Sequence, residues 1–281
     1  MTIPDYLLIG HITADLTPTG RVPGGTVSYA LRTAWAFGLQ VGVLTSTTQG
    51  EPLLDELQPY ASEIVSLPAA ETTTYENLYS PAGRVQYVRG VAAPITRADI
   101  PAGFMGAPLV HFAPIAGEID PVIAHDFKDS TTLLTLQGWL RAWDDTGRVH
   151  FKRWFDPDVL KSIDIVVFSE EDIVESPQME AEFAGAVRHL FVTRAEKGGT
   201  YYRDGVPIAY DTPQVELVNP TGAGDVFAAS LLASLPALNH DMGRAIKVAA
   251  RLGAIAVTRM TLEGTPSREE VAAALNEARH G

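Results

Sequence analysis

The chain has 281 residues and a formal net charge of −13, from 34 acidic and 21 basic side chains, which argues against a broad nucleic-acid or anionic-membrane surface but leaves a local nucleotide site open. Hydrophobic residues make up 46% of the chain, typical of a globular protein with a sizeable core, and the lack of cysteine excludes disulfides and thiolate chemistry. We find no signal-peptide pattern and no apolar stretch of transmembrane length, so we expect a cytoplasmic protein.

Short apolar segments alternate with helical patterns, and this predicts an α/β fold with a doubly wound, mainly parallel sheet flanked by helices. Strands are predicted, in chain order, at residues 6–10, 41–45, 63–67, 109–112, 131–135, 164–169, 190–193, 200–203 and 207–210. Helices are predicted at residues 27–38, 51–58, from 223 onward, at 241–258 and at 267–279. Because no repeat or linker divides the chain, we expect one domain over residues 1–281.

The first predicted strand leads into a candidate ligand site. Residues 6–9 are continuously apolar and Gly10 ends the run, as in a strand buried on both faces of a parallel sheet. Asp15 follows a few residues later, near the sheet edge where α/β folds bind their ligands. A turn or cap role explains Asp15 slightly better when the sequence alone is considered.

The stretch 218–231 carries the strongest chemical signal. Asn219-Pro220 breaks the preceding element, while Gly222 and Gly224 permit unusual backbone conformations and the close approach of an anion. The residues that follow favour a helix, and a glycine-rich loop at a helix N-terminus is an anion site. Asp225, in the first turn, would repel an anion unless it has a chemical task, such as accepting a proton from an attacking hydroxyl.

This stretch resembles the C-terminal signature of the ribokinase-like (PfkB) carbohydrate kinases, which reads roughly Asp-x-Thr-Gly-Ala-Gly-Asp-x-Phe. The chain matches it from Thr221 to Asp225 and at Phe227, with Asn219 in place of the first Asp. The resemblance implies that Asp225 is the catalytic base. It also implies a backbone anion hole for the transferred phosphoryl group, formed by Gly222, Ala223 and Gly224.

The resemblance also implies an acceptor site. In the family, an Asp after the first strand and a Gly-Gly pair before the first helix serve the substrate, and Asp15, Gly24 and Gly25 match them. The further substrate-binding candidates are Thr26, Tyr29, Gln137 and Arg141. At the position of Tyr29 the family usually has Asn. For Gln137 and Arg141, a strand-to-loop turn with a surface arginine explains the residues equally well.

A hairpin is predicted where residues 72–79 and 84–89 alternate around a turn. The resemblance implies that the segments 11–24 and 72–90 form a β-strand lid, reduced because few residues separate Asp15 from Gly24. A reduced lid favours a monomer or a weak homodimer.

ATP and Mg²⁺ are the implied cofactors. The nucleotide-binding candidates are Thr193, Arg194, Glu196, Gly198 and Thr221, together with Gly222 and Gly224. Ala195 replaces a usual glycine, and Ser169 and Asp172 replace a usual Asn-x-x-Glu pattern. Asp172 is the candidate for indirect metal binding, although helix capping alone explains it.

These features predict ATP-dependent phosphorylation of a hydroxyl on a small polyol or sugar. Where the sequence departs from the usual family pattern, as at Tyr29 and Ser169, it most resembles the myo-inositol kinases of the family. A nucleoside or sugar-acid kinase of the same family is the first alternative, and a non-catalytic ligand-binding relative is the second. A dinucleotide-binding oxidoreductase does not fit, because no Gly-x-Gly-x-x-Gly follows the first strand.

Overall fold

The computed structural model describes residues 2–18, 20–80 and 83–280. The strands are β1 (Tyr6–Ile9), β2 (Thr13–Thr17), β3 (Gly20–Gly24), β4 (Val41–Thr48), β5 (Glu63–Ala69), β6 (Thr74–Ser80), β7 (Gly83–Gly90), β8 (Leu109–Phe112), β9 (Thr131–Thr135), β10 (Arg141–Trp143), β11 (Val149–Phe151), β12 (Ile165–Ser169), β13 (His189–Thr193), β14 (Gly199–Arg203) and β15 (Val206–Tyr210). The helices are α1 (Gly25–Ala36), α2 (Leu53–Leu57), α3 (Pro157–Leu160), α4 (Met179–Ala186), α5 (Ala223–Ser234), α6 (Met242–Ala256) and α7 (Arg268–His280).

The main sheet has nine strands in the order β15-β14-β13-β12-β9-β8-β1-β4-β5. All neighbours from β13 to β5 pair in parallel, and the pairs β13–β14 and β14–β15 at one edge are antiparallel. The chain crosses over on both sides of β1, as in a doubly wound fold. The predicted fold class is confirmed.

Both faces of this sheet are buried. Tyr6 and Leu8 of β1 belong to one hydrophobic cluster and Leu7 and Ile9 to another, because successive side chains of a strand point to opposite faces. The first cluster lies under α1, α5, α6 and α7. Four of the residues predicted to bind ligands, Asp15, Gln137, Asp172 and Arg194, follow the carboxyl ends of β1, β9, β12 and β13, which a parallel sheet brings to one edge.

A second sheet of four strands, in the order β3-β2-β6-β7, lies beside this edge. The β6–β7 hairpin was predicted from its alternation, and its turn residues 81–82 lie outside the described residues. Strands β2 and β3 were expected only as part of a lid segment, because Thr13–Gly24 is rich in Gly, Pro and Thr and shows no clear alternation. That this sheet covers a substrate stays a prediction. No helix in the described ranges is both long and apolar enough to cross a membrane.

Candidate active site

A left-handed turn at Gly222 begins α5. Asn219 prepares the turn, since its side-chain oxygen accepts a hydrogen bond of 2.8 Å from the backbone N–H of Thr221. Gly222 has a φ of +85°, a conformation that favours glycine. We call residues 222–224 the anion loop, because the first N–H groups of α5 point out of it. A Cβ added to Gly224 would meet no atom within 4 Å, so the space beside the anion loop is open.

Asp225 lies in the first turn of α5 and is half-buried. Its Oδ1 accepts a hydrogen bond of 2.7 Å from the hydroxyl of Thr26, which is 1% exposed. Burial raises the pKa of the Asp225 carboxyl from 3.8 to about 6, and the Thr26 bond opposes this rise. The charge of Arg141 also opposes it, whereas the carboxylates of Asp172 and Asp15 add to it. These four side chains therefore surround one titratable group.

The N-terminus of α1 forms the other side of the site. Gly24 lies against the carboxylate of Asp15 so closely that a Cβ there would overlap it. Gly25 has a φ of +75° and approaches the side chain of Thr13, whose hydroxyl donates to Asp15 Oδ1 at 3.4 Å. The structure thus brings Asp15, Gly24 and Gly25 together through the pairing of β2 with β3.

Tyr29 lies one turn further along α1 and is only 2% exposed. Its ring fills the space where a side chain at position 222 would be. Thr26 and Tyr29 therefore both face the start of α5 rather than the open side of the site.

Arg141 reaches the site from the opposite side. Its guanidinium donates to the backbone oxygen of Ile115 at 3.3 Å and lies 5.5 Å from the ring centre of Tyr75. The Tyr75 hydroxyl donates to the same oxygen at 2.7 Å. Sequence reasoning gave no role to Tyr75, which the β6–β7 hairpin carries into the site.

Glu118 was also missed. It is 4% exposed, and its carboxylate accepts hydrogen bonds from the backbone N–H groups of His11 (2.8 Å), Ile115 (3.0 Å) and Ala116 (2.8 Å). This one side chain ties together the segments that follow β1 and β8. No local motif marks it, because its partners are distant in the sequence.

Gln137 and Asp172 contact each other. The Gln137 amide donates to Asp172 Oδ1 at 2.9 Å, and the backbone N–H of Ser169 donates to Oδ2 at 2.9 Å. Ser169 and Asp172 form a capping box, so the capping explanation of these residues is present in the structure. Indirect metal binding by Asp172 stays a prediction.

The turn after β13 holds the remaining nucleotide candidates. Thr193 ends the strand, Glu196 is exposed, and Gly198 has a φ of +80° with the backbone of Tyr210 where a Cβ would be. Arg194 is bound within the protein, because its guanidinium donates to both carboxylate oxygens of Glu180 at 2.6 and 2.8 Å.

The site fits a phosphate group accompanied by a metal ion. No three His, Cys, Asp or Glu side chains in the described residues are grouped closely enough to hold a metal by themselves. Mg²⁺ that accompanies phosphates is held largely by phosphate oxygens, water and one or two carboxylates. Asp172, whose charge acts on Asp225, is the predicted carboxylate for such an ion, and both of its oxygens accept hydrogen bonds within the protein.

Comparisons with known proteins agree with this geometry. Residues 158–268 match the family model described as pfkB family carbohydrate kinase. The cytidine kinase of Thermococcus kodakarensis is 26% identical, with 89% of this chain and 93% of that protein covered. A pyrophosphate-dependent kinase in the ribokinase family, complexed with a pyrophosphate analog and myo-inositol, superposes with a TM-score of 0.79 at 22% identity, covering 95% of this chain and 99% of that one.

The ribokinase of Thermotoga maritima superposes with a TM-score of 0.77 at 16% identity, covering 98% of this chain and 100% of that one. At this identity the structural matches show the fold, while the family model includes the anion loop and Asp225. Residues 158–268 therefore match a PfkB family carbohydrate kinase domain, and the chain has the ribokinase-like fold.

Proposed function

We propose that this kinase transfers the γ-phosphoryl group of ATP to a hydroxyl of a small polyol or sugar, with Asp225 as the base. The observation that carries the proposal is the position of Asp225: a half-buried carboxylate with a pKa raised to about 6, beside an open anion loop. A base is most effective when its pKa lies near the working pH, because it is then both ionised and able to hold a proton.

The anion loop supports the transferred group. The first N–H groups of α5 lie at its N-terminus, where the helix dipole favours negative charge, and the space beside Gly224 is open. Donors fixed in advance stabilise the charge that develops on the phosphoryl oxygens. Mg²⁺ bound to the phosphates would supply further neutralisation.

The acceptor is proposed to lie between Asp15 and Asp225. Asp15 orients one hydroxyl, and Asp225 takes the proton from the hydroxyl that attacks phosphorus; that oxygen then forms the new P–O bond while ADP leaves. Gly24 and Gly25 allow the Asp15 carboxylate and the Thr13 side chain to lie against the α1 backbone, since neither glycine carries a side chain, and this places Asp15 for the acceptor. The charge of Arg141 acts on the Asp225 carboxylate, and its guanidinium is a donor suited to the hydroxyl oxygens of a polyol.

Two acceptor classes have specific support. Myo-inositol is favoured by the sequence pattern and by the myo-inositol bound to a structural relative. A nucleoside is favoured by the cytidine kinase relative, which is more similar in sequence.

Two donors are supported as well. Apolar side chains are exposed in the segment that leads to the anion loop, at Val215, Leu217 and Val218, and at Met260, whose sulfur contacts Asn219. Such a surface fits a purine ring and favours ATP. Pyrophosphate is the second candidate because structural relatives use it.

The test is product release from a panel of polyols, sugars and nucleosides, with Mg-ATP or Mg-pyrophosphate as donor and Asp225→Asn as the control. We expect one acceptor class to give turnover that the variant lacks. No turnover with any acceptor, together with measurable binding of one of them, would favour a non-catalytic ligand-binding protein.

A further inference from the structure

The ring of Tyr29 is packed directly against Gly222, the first residue of the anion loop. A Cβ built on Gly222 would fall inside the van der Waals envelope of three ring carbons, Cε1, Cδ1 and Cζ. Tyr29 is 2% exposed, so most of its surface is in contact with the protein. The ring and the glycine thus occupy complementary volumes.

The anion loop depends on what lies beneath it. Gly222 holds a left-handed φ of +85°, and among the described residues the N-cap position of α5 makes no side-chain cap bond, while the backbone N–H of Ala223 donates to the Pro220 oxygen at 3.4 Å. Thr221, Gly222 and Ala223 are half-buried and Gly224 is exposed. We therefore expect the packing of the Tyr29 ring against Gly222 to help fix the directions of the N–H groups that would meet the donor.

Two contacts between α1 and α5 share one register. Thr26 meets Asp225, and Tyr29, three residues later, meets Gly222, three residues earlier. Residues three apart lie on the same face of a helix. The face of α1 that orients the base is therefore the face that supports the anion loop.

We propose that Tyr29 is a positioning residue for the phosphoryl donor: its ring supports the anion loop at Gly222 and so sets donor affinity, without contacting the acceptor. This inference rests on the proposed function. It differs from a substrate contact by Tyr29, which would set acceptor affinity.

The test compares Tyr29→Leu with Tyr29→Phe. Leucine removes the flat ring, whereas phenylalanine keeps it. Binding of Mg-ATP and of Mg-pyrophosphate is measured by calorimetry without acceptor, and KM is measured for both substrates. We expect Tyr29→Leu to weaken donor binding about tenfold and change the acceptor KM less than about twofold, and Tyr29→Phe to bind the donor like the wild type. If Tyr29→Leu does not fold, Tyr29→Met takes its place.

Leu31→Ala is the matched control, since Leu31 is fully buried in the same helix, where it packs in the hydrophobic core. We expect it to lower thermal stability without weakening donor binding. An equal loss of donor affinity in Leu31→Ala would overturn the proposal, as would a rise of the acceptor KM alone in Tyr29→Leu.

A double variant tests the contact itself. Gly222→Ala places a methyl group where the ring lies, so Tyr29→Leu in the same chain should recover part of the lost stability. Additive losses would overturn the proposal. If the wild type binds neither donor, the proposed function fails and the inference with it; if it binds a donor and Tyr29→Leu binds it equally well, the inference alone fails.

Discussion

Thr26 donates a hydrogen bond of 2.7 Å to Asp225, although 199 positions separate the two residues. The bond fixes the rotation of the carboxylate and stabilises its ionised form. It therefore works against burial, which raises the pKa of Asp225 to about 6. The first turn of α1 thus lowers the pKa of a carboxyl group in the first turn of α5.

Thr26→Val should raise the pKa of Asp225 further, because the buried carboxylate loses a donor. A hydrogen bond to a charged group is worth about 1.5–3 kcal/mol, so a shift of about one to two pH units is expected. In the wild type, kcat/KM should fall as the pH drops through about 6, since the base becomes protonated. The acidic limb of the pH profile measures the shift.

Thr26→Ser keeps the hydroxyl and is the control, with an acidic limb close to that of the wild type. A profile unchanged in Thr26→Val would show that the acidic limb belongs to another group.

Asp225→Asn should fold normally and lose phosphoryl transfer by about 10²–10⁴-fold, the usual contribution of a general base. It should also be more stable than the wild type at high pH. The folded pKa of Asp225 lies above its unfolded value, so ionisation costs folding free energy as the pH rises from about 4 to beyond 6. We expect a gain of about 1–3 kcal/mol in the free energy of unfolding at pH 8, vanishing below pH 4.

Urea unfolding at both pH values measures this difference, and Asp211→Asn, at an exposed position, is the control. Equal stability of Asp225→Asn and the wild type at pH 8 would contradict the raised pKa.

Much of the fold was readable from the sequence. Continuous apolar runs such as residues 6–9 are strands buried on both faces, and the glycine-rich turn before α5 was expected from Gly222 and Gly224. Boundaries differed by a few residues; for example, α1 was predicted to begin at Val27 but begins at Gly25, because a glycine pair gives no helical signal.

The connections inside the site were not readable. Nothing near Thr26 indicates that it meets Asp225, and nothing near Tyr29 indicates that its ring supports Gly222. Such contacts join segments that are adjacent only after the sheet has formed. Glu118 is the clearest case, because its carboxylate accepts hydrogen bonds from backbone N–H groups. Every residue except proline has such a group, so the sequence does not show which ones it binds.

Glu118→Ala should therefore destabilise the fold strongly, by about 2–4 kcal/mol, because it leaves buried N–H groups without a partner. Thermal unfolding measures the loss. Glu71→Ala, at an exposed position, is the matched control and should change stability by less than about 0.5 kcal/mol. A loss in Glu118→Ala no larger than in the control would contradict its assigned role.

Ala195→Gly should stabilise the turn after β13. Ala195 has a φ of +47°, in a region that costs an L-residue about 1–2 kcal/mol. Glycine removes this cost, but it also makes the unfolded chain more flexible, which offsets part of the gain in stability. We expect a net gain of up to about 1 kcal/mol in urea unfolding. Gly198→Ala, where a Cβ would overlap the backbone of Tyr210, should instead lose stability. A stabilised Gly198→Ala would contradict this description of the turn.

Gly224→Ala separates the chemical from the structural role of the anion loop. A Cβ at Gly224 meets no atom within 4 Å, and the residue is helical, so alanine should leave stability equal or raise it by up to about 1 kcal/mol. The methyl group nevertheless enters the open space proposed for the phosphoryl group, and the donor KM should rise about tenfold or more. Gly185→Ala in α4 is the matched control, since it also has no atom within 4 Å and lies outside the site. Because both substitutions add the same methyl group to a helix, a rise in donor KM confined to Gly224→Ala would locate the donor at the anion loop, and an unchanged donor KM would place it elsewhere.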